Sequence, residues 1–372
     1  MVHFSSLAAG LAGLATIVSA HPGHDVKAEA AERRAALNNL HTRGLSAQCA
    51  TQLKARGVEA ASVARRDAML QKVRKSRGLT GPVLKARDTA PLNESHLSDL
   101  AVDLNTDPSE LFASGGTCVL AEDVTQGPYY VSGELIRKDL TEDQEGVPLY
   151  LDIQLVDSTT CEPVPDVYLD FWHCNSTGVY SGVNAQGNGN SDDTSNIDST
   201  FLRGLQKTDA EGVAEFLTTF PGHYTGRATH IHVLSHPANE TTVNANNTIS
   251  GLYTSTSSHV GQIFFDQDLI STVEETAVYA TNTQELTLNS EDSILLQELE
   301  DDIDPFVEYV LLGEDVTDGI FSWITVVIDS SKSSSVTPAA YYTEDGGVEN
   351  ENAGGGGAGG GGGSPPGGAP PS

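Results

Sequence analysis

The chain has 372 residues, of which 20 are Lys or Arg and 51 are Asp or Glu, so its formal net charge is −31. This length allows one large domain or two ordinary ones and provides enough apolar residues for a buried core. Such an excess of acid argues against nucleic acids and anionic membranes as partners, because phosphate binding depends on clustered Lys and Arg.

The charge is divided unevenly along the chain. Residues 21–90 contain 14 basic and 6 acidic side chains, whereas residues 91–372 contain 6 basic and 45 acidic ones. A basic arm therefore precedes a very acidic body. We expect the two to attract each other, within one chain or across a homodimer formed through the arm, rather than to bind an external acidic partner.

Residues 1–20 have the pattern of a signal peptide. They contain no Asp, Glu, Lys or Arg, carry the apolar run Leu7–Val18, and end in Val18-Ser19-Ala20, a small-residue sequence that a signal peptidase would cut. The apolar run is too short to favour a membrane span. The sequence therefore predicts a secreted, extracellular protein whose mature chain begins at His21.

Secretion makes the cysteines candidates for disulfides and the Asn-x-Ser/Thr triplets candidates for glycosylation. Four cysteines allow three pairings, which the sequence leaves open, and the lack of a CxxC motif argues against a thiolate zinc site. Asn175 is the least expected glycosylation site, because it lies beside the candidate chemistry. The cysteines are Cys49, Cys118, Cys161 and Cys174, and the triplets begin at Asn93, Asn175, Asn239 and Asn246.

The first predicted elements are helices within the arm, residues 21–90. In Gln48–Gly78, apolar residues recur at roughly helical spacing, and Gly57 is expected to break the segment in two. The pair Arg65-Arg66 is either a protease processing site or, as the commoner explanation, two exposed helical arginines.

The body, residues 91–330, has the pattern of a β-sandwich. Short segments rich in β-branched and aromatic residues alternate with turn signals and lack a helix between each pair, which predicts a mainly β fold with an antiparallel sandwich. One helix is expected in the body, at Gln284–Asp302, and residues 331–372 are predicted to form a disordered Gly/Pro-rich tail. The predicted strands are Leu149–Val156, Val167–Cys174, Val213–Phe220, His230–His236, Gln262–Phe265 and Ile324–Ile328.

The strongest local chemical signal is His230-Ile231-His232. On a strand, residues i and i+2 lie on the same face, so both imidazoles can reach one metal ion, although such a pair alone is a weak signal. Tyr224 lies in a turn just before this strand, and Tyr180 follows an earlier strand. Phenols stay protonated near neutral pH, so tyrosine ligands suit only a strongly acidic, oxygen-preferring ion such as ferric iron. Taken separately, each tyrosine would be read as an ordinary structural aromatic.

Together these residues resemble the intradiol ring-cleavage dioxygenases, in particular secreted fungal members with an N-terminal extension. The resemblance covers roughly residues 118–270. It is carried by Gly127-Pro-Tyr-Tyr130, Asp170-Phe-Trp-His-Cys-Asn175, Gly178-Val-Tyr180-Ser181, Leu202–Gly212, Phe220-Pro-Gly-His-Tyr224 and Arg227-Ala-Thr-His230-Ile-His232.

The resemblance implies a non-haem Fe(III) site and a catechol-cleaving activity. The enzyme would use O2 to cleave the ring between the two hydroxylated carbons, giving cis,cis-muconate-type diacids. Ala228 departs from the family pattern, since many members have proline after the arginine. The implied metal ligands are Tyr180, Tyr224, His230 and His232, and the implied catalytic residues are Tyr224, Arg227, which faces the bound catecholate, and Gln262.

Two other functions remain open at this stage. A non-catalytic secreted β-sandwich could bind cell-wall polysaccharide or a protein, with the tyrosines only structural. A copper oxygenase could use His21 as an N-terminal ligand together with His24. The sequence also leaves the particular catechol open, lignin-derived catechols and hydroxyquinol being suggested by the resemblance alone.

Overall fold

The computed structural model describes residues 45–81, 112, 117–119, 127–185, 187–190, 192–237, 241–250, 256–257, 259–300, 304–331 and 334–351. The predicted signal peptide, His21, Asn93, Asn239 and the Gly-rich end of the chain lie outside these residues. Within the described ranges, no helix is long and apolar enough to cross a bilayer.

The described residues are mainly β. The helices are α1 (Leu45–Ala55), α2 (Val58–Ser76), α3 (Gln267–Glu274) and α4 (Ser293–Glu300). The strands are β1 (Thr117–Val119), β2 (Val131–Ser132), β3 (Pro148–Asp157), β4 (Val167–Trp172), β5 (Arg203–Lys207), β6 (Val213–Thr219), β7 (His230–Pro237), β8 (Thr242–Val243), β9 (Ile249–Ser250), β10 (Thr256–Ser257), β11 (His259–Phe264), β12 (Glu308–Leu311), β13 (Ile320–Ile328), β14 (Ser334–Ser335), β15 (Ala340–Thr343) and β16 (Gly346–Glu349).

Two sheets form the predicted sandwich. The first has the order β1-β13-β3-β6, with β12 also paired to β13, and the second has the order β11-β7-β4-β5. All pairs in the second sheet are antiparallel. In the first sheet, β13 runs parallel to both β1 and β3, so this sheet is mixed. The β-sandwich predicted from the sequence is confirmed, with this one departure from purely antiparallel pairing.

Strand β3 is buried on both faces. Its alternate residues Leu149, Leu151, Ile153 and Leu155 enter the core between the sheets, where they meet residues of β7 such as Ile231. The residues between them point the other way, as the twofold period of a strand requires. The arm covers that second face. Both sets of β3 side chains are therefore shielded from solvent, one by the other sheet and one by the arm, and no side chain of the strand is fully exposed.

The arm packs on the outer face of the first sheet. Arg65 Nε donates to Asp152 Oδ2 at 2.7 Å, and Arg66 Nε lies 3.1 Å from Asp152 Oδ1. A disulfide between Cys49 and Cys161 fastens α1 to the turn after β3. The expected attraction between basic arm and acidic body is thus present within the chain. The expectation of exposed arginines is wrong for Arg66, which is 4% exposed.

The helices of the body differ from the prediction. Helix α4 occupies only part of the expected Gln284–Asp302 segment, and α3 was not expected at all. The Asp292 carboxylate accepts hydrogen bonds from the backbone N–H groups of Ile294 and Leu295. This is the geometry of a residue that caps a helix N-terminus, so the helix begins after Asp292 rather than at residue 284.

The predicted disorder from residue 331 onward is wrong for residues 334–351, which we call the C-terminal strap. Its strands β15 and β16 form a hairpin, and β15 pairs in parallel with β2. The Ala339 N–H donates to the Tyr130 carbonyl at 2.8 Å, and the Gly347 N–H donates to Asp198 Oδ1 at 2.9 Å. Ala340 is 1% exposed, so the strap contains enough apolar contact to order despite its polar composition.

Candidate metal centre

Four predicted ligands meet at one buried point. The hydroxyl oxygens of Tyr180 and Tyr224 lie 3.5 Å and 3.4 Å from His230 Nε2, and His232 Nε2 lies 3.0 Å from the same atom. Each of the four side chains is at most 4% exposed. Two phenol oxygens and two imidazole nitrogens, brought from three separate segments, therefore face each other within hydrogen-bonding range.

Strand β7 positions the two imidazoles as the sequence predicted. His230 and His232 share one face, while Ile231 between them enters the sandwich core. His230 Nδ1 lies 2.6 Å from the Ala228 carbonyl. A carbonyl can only accept, so Nδ1 carries the proton and Nε2 presents its lone pair to the cluster.

The strands beside β7 hold His232 from both sides. Trp172 on β4 and Gln262 on β11 are both its register partners. The Trp172 indole stacks on the His232 imidazole, with ring centroids 4.9 Å apart. Sequence reasoning assigned Gln262 to the site, and the structure places it there. It gave Trp172 no role beyond the quoted motif.

Asparagine side chains fix the loop that carries Tyr180. Asn188 Oδ1 accepts from the Tyr180 N–H at 2.8 Å, and the side chains of Asn188 and Asn196 both donate to the Tyr180 carbonyl. Asn175 accepts from the Val179 N–H at 3.0 Å, and its Nδ2 donates to Gln144 at 3.0 Å. Because both ends of its amide are used inside the protein, a structural role is favoured over glycosylation at Asn175.

The Tyr224 turn approaches this loop closely. Gly222 lies against the Asn175 and Ser176 carbonyls, and a Cβ added to it would come within 2.4 Å of the Asn175 oxygen. Only glycine allows such an approach without displacing the backbone. The Pro221-Gly222 dipeptide, recognised in the sequence as a turn signal, therefore also sets the distance between Tyr224 and Tyr180.

Tyr129 is a site residue to which sequence reasoning gave no role, although it belongs to the quoted Gly127–Tyr130 motif. Its ring stacks on Tyr180 with centroids 4.5 Å apart and meets Tyr224 edge to face at 6.0 Å. It is 1% exposed, and its hydroxyl has no hydrogen-bond partner among the described residues. Burial raises its pKa, so the group is a neutral hydroxyl beside the cluster.

Arg227 and Gln262 are also brought together. The Arg227 guanidinium donates through Nη2 to Gln262 Oε1 and through Nε to Asp292 Oδ2, the latter at 2.9 Å. Both Arg227 and Asp292 are fully buried. Sequence reasoning missed Asp292. Its capping pattern before an apolar helix is visible in the sequence, but nothing there connects it to an arginine 65 residues earlier.

The donor set fits a trivalent, oxygen-preferring ion. Burial raises the pKa of Tyr180 and Tyr224 well above the ordinary value of 10.0, so phenolates at these positions require a strong positive charge nearby. Two phenolates and a hydroxide would neutralise ferric iron, which makes burial of the site inexpensive. No group of three His, Cys, Asp or Glu side chains suited to a metal occurs in the described part of the chain.

Residues 125–295 match the family model described as Dioxygenase. An intradiol ring-cleavage dioxygenase from Tetranychus urticae is 26% identical, covering 59% of this chain and 98% of that one with a TM-score of 0.45. The dioxygenase domain of a carbohydrate-binding fusion protein from Streptomyces sp. SirexAA-E is 21% identical, covering 56% and 97% with a TM-score of 0.36. No curated protein shows a significant match. The family match confirms the resemblance predicted from the sequence motifs.

Proposed function

We propose that this chain, whose residues 125–295 match the dioxygenase family model, is a secreted intradiol ring-cleavage enzyme that uses non-haem Fe(III) and O2 to open catechol-type rings. Cleavage between the two hydroxylated carbons would give cis,cis-muconate-type diacids. One observation carries the proposal: Tyr180, Tyr224 and His232 each place a donor atom within 3.5 Å of His230 Nε2 in a buried site. These four residues would hold the iron.

Ferric iron, when bound, would withdraw electron density from a catecholate and make a ring carbon reactive toward O2. Tyr224 is suited to proton transfer, because it lies on a turn rather than within a sheet strand. As a phenolate, Tyr224 would accept a proton from a catechol hydroxyl as the substrate enters and become a neutral phenol. Tyr180, in contrast, is held at its backbone N–H and carbonyl by Asn188. We therefore assign the proton transfer to Tyr224, and we assign to Tyr180 the role of a ligand that stays in place.

Arg227 would stabilise negative charge on the substrate ring. A buried guanidinium beside the cluster acts in a medium of low polarity, where such stabilisation is strongest. Gln262 Oε1 accepts a hydrogen bond from the Nη2 group of Arg227. The Gln262 Nε2 group has no hydrogen-bond partner among the described residues, so it can donate to a substrate oxygen.

Aromatic rings would keep water from the reacting ring. Tyr129, Trp172 and Tyr180 are each at most 1% exposed and pack in one cluster around the site. The same observation argues against the polysaccharide-binding alternative, which needs aromatic faces open to solvent. The copper alternative depends on His21, which lies outside the described residues.

Secretion is supported by the Cys49–Cys161 disulfide together with the signal-peptide pattern of residues 1–20. The arm packs on the first sheet of its own chain through Asp152, so a homodimer formed through the arm is not required to bury it. Such a dimer remains a prediction.

The deciding experiment is a visible absorption spectrum of the purified protein with iron analysis, before and after addition of catechol without O2. We expect a broad tyrosinate-to-iron band that shifts with catechol. Tyr180→Phe should alter the band, whereas Tyr168→Phe, which changes a buried tyrosine outside the cluster, should leave it unchanged. A colourless protein that takes up no iron on reconstitution with ferric or ferrous salts would refute the proposal.

A further inference from the structure

We infer that Asp292 is a positioning residue for Arg227 in the ring-cleavage reaction, an inference that rests on the proposed function. Asp292 lies outside every motif that carries the family resemblance. It makes no hydrogen bond to any of the four candidate iron ligands, and it would act through the arginine.

One carboxylate oxygen of Asp292 holds the segment that carries Arg227. Oδ2 accepts from Arg227 Nε at 2.9 Å and from the Ala228 N–H at 2.8 Å. The Arg227 side chain and the Ala228 backbone amide thus donate hydrogen bonds to the same oxygen atom. This fixes the direction in which Arg227 leaves the chain as well as the position of its guanidinium.

The other oxygen anchors Asp292 to helix α4. Oδ1 accepts from the Ile294 N–H at 2.8 Å and from the Leu295 N–H at 3.2 Å. Four N–H donors therefore surround one carboxylate that is fully buried. Burial alone would raise the pKa of Asp292, but the Arg227 charge and the hydrogen bonds from Ala228 and Arg227 outweigh it and hold the pKa below its ordinary value, so the group stays ionised.

Ala228 makes this arrangement possible in this chain. Proline, which many members of the family have at this position, carries no N–H and could not donate to Asp292. The departure from the family pattern noted in the sequence thus supplies a hydrogen bond. It links the strand that begins at His230 to the N-terminus of α4.

The guanidinium of Arg227 is consequently held from two directions. Asp292 accepts a hydrogen bond from its Nε–H, and Gln262 on strand β11 accepts one from its Nη2. A long, flexible side chain loses most of its freedom in this way before substrate arrives. Such preorganisation of a charge is the condition under which it lowers a reaction barrier most effectively.

A purely structural role makes a different prediction, because capping a helix and filling a buried site do not depend on Arg227. The test is a double-mutant cycle of Asp292→Asn, Arg227→Gln and the double variant, measured by catechol turnover with iron content and visible spectrum. Asp315→Asn is the matched control, since Asp315 caps an exposed turn by accepting a hydrogen bond from the Thr317 N–H and lies far in the sequence from Arg227.

We expect Asp292→Asn to lower kcat by about 10- to 100-fold while the iron content and the visible band stay those of the unaltered protein. In the Arg227→Gln background the same change should lower kcat by less than about 2-fold. The control should turn over normally. Equal losses in both backgrounds, or no loss in either, would overturn the inference.

A second readout does not depend on turnover. Urea unfolding of the metal-free variants should show that the shifts in midpoint caused by Arg227→Gln and Asp292→Asn are not additive. If Asp292→Asn does not fold, Ala228→Pro replaces it in both cycles, because it removes one of the two donors to Oδ2. Additive shifts would overturn the inference. A protein without iron or turnover that still shows coupling would instead refute the proposed function.

Discussion

The Trp172 indole lies almost parallel to the His232 imidazole, with an angle of 6° between the ring planes and 4.9 Å between their centroids. The two residues are register partners on neighbouring antiparallel strands. A flat ring pressed against a candidate ligand limits its rotation, as partners outside a metal's ligand set commonly do.

Trp172→Leu should therefore weaken iron retention. Loss of a stacking interaction worth about 0.5–1.5 kcal/mol corresponds to an affinity decrease of roughly 2- to 10-fold. The measurement is iron content after dialysis against increasing chelator. Trp172→Phe keeps an aromatic ring, so its iron retention should lie between those of Trp172→Leu and the unaltered protein. Identical iron retention in all three proteins would contradict the role of stacking.

The two classes of ligand should respond differently to removal. His230→Ala should lose iron, because it removes the nitrogen on which the other three donor atoms converge. Tyr224→Phe should keep iron but lose turnover, because a proton acceptor is missing. Iron analysis and catechol consumption on the same samples separate these effects. Full iron content and turnover in both His230→Ala and His232→Ala would show that the site is elsewhere.

The pairing of Asp152 with Arg65 and Arg66 should make stability depend on acid. Burial alone would raise the pKa of Asp152. The hydrogen bond from Arg65 and the charge of Arg66 outweigh this effect, so the pKa lies below its usual value. A lowered pKa stabilises the folded state above the unfolded value of about 3.9, and this contribution is lost as the pH falls through the folded pKa.

Asp152→Asn should therefore cost about 3–5 kcal/mol near pH 7, where it leaves two arginines beside an uncharged group. Below about pH 4 the difference from the unaltered protein should shrink. Urea unfolding across the pH range measures this convergence. Two stability curves that stay parallel down to the most acidic point would show that the ion pair is not responsible.

Removing the disulfide with Cys49→Ser should lower stability without affecting iron. The bridge joins residues 112 apart, and closing a loop of about 100 residues is worth roughly 4.7 kcal/mol in the chain-entropy model. Thermal unfolding with and without a reductant is the measurement, and reductant should cause no further change in Cys49→Ser. Loss of iron from the folded variant would place part of the site in the arm.

Truncation should separate the C-terminal strap from the Gly-rich end that follows it. A chain ending at residue 351 should be unchanged, whereas one ending at residue 331 should lose turnover and shift the visible band. The strap braces Tyr130 and Asp198, and Asn196 in the same short turn as Asp198 donates to the Tyr180 carbonyl. Equal spectra and turnover in the two truncations would show that the strap does not support Tyr180.

The parts of the fold that the sequence predicted well are local properties. The spacing of His230 and His232 on one strand face follows from twofold periodicity, and Gly57, with φ of 76°, ends α1 as expected. The convergence of Tyr180 with Tyr224 followed from the family resemblance, because no local pattern relates them. Individual strands could be recognised from β-branched and aromatic residues, but their partners could not.

The features that escaped prediction depend on distant residues. The Asp292–Arg227 pair joins segments 65 positions apart, and neither segment alone indicates the other. The strap was missed because its composition was averaged with the following glycines. The strap is ordered because β15 pairs with β2, where Ala340 lies opposite Val131. The local composition of the strap gives no sign of a partner so distant in the sequence.

The position of β13 limits how this protein can be assembled. The strand lies outside the segment 125–295 that matches the family, yet it pairs with β1, β3 and β12 and contributes Ile320, Ile324 and Val326 to the core. On the ribosome, the first sheet cannot close until residue 328 has been synthesised. The sandwich therefore completes only after most of the chain has been made. A gene segment ending at residue 295 would lack the core residues of β12 and β13, among them Ile320, Ile324 and Val326, and could not be exchanged between proteins as a self-sufficient unit.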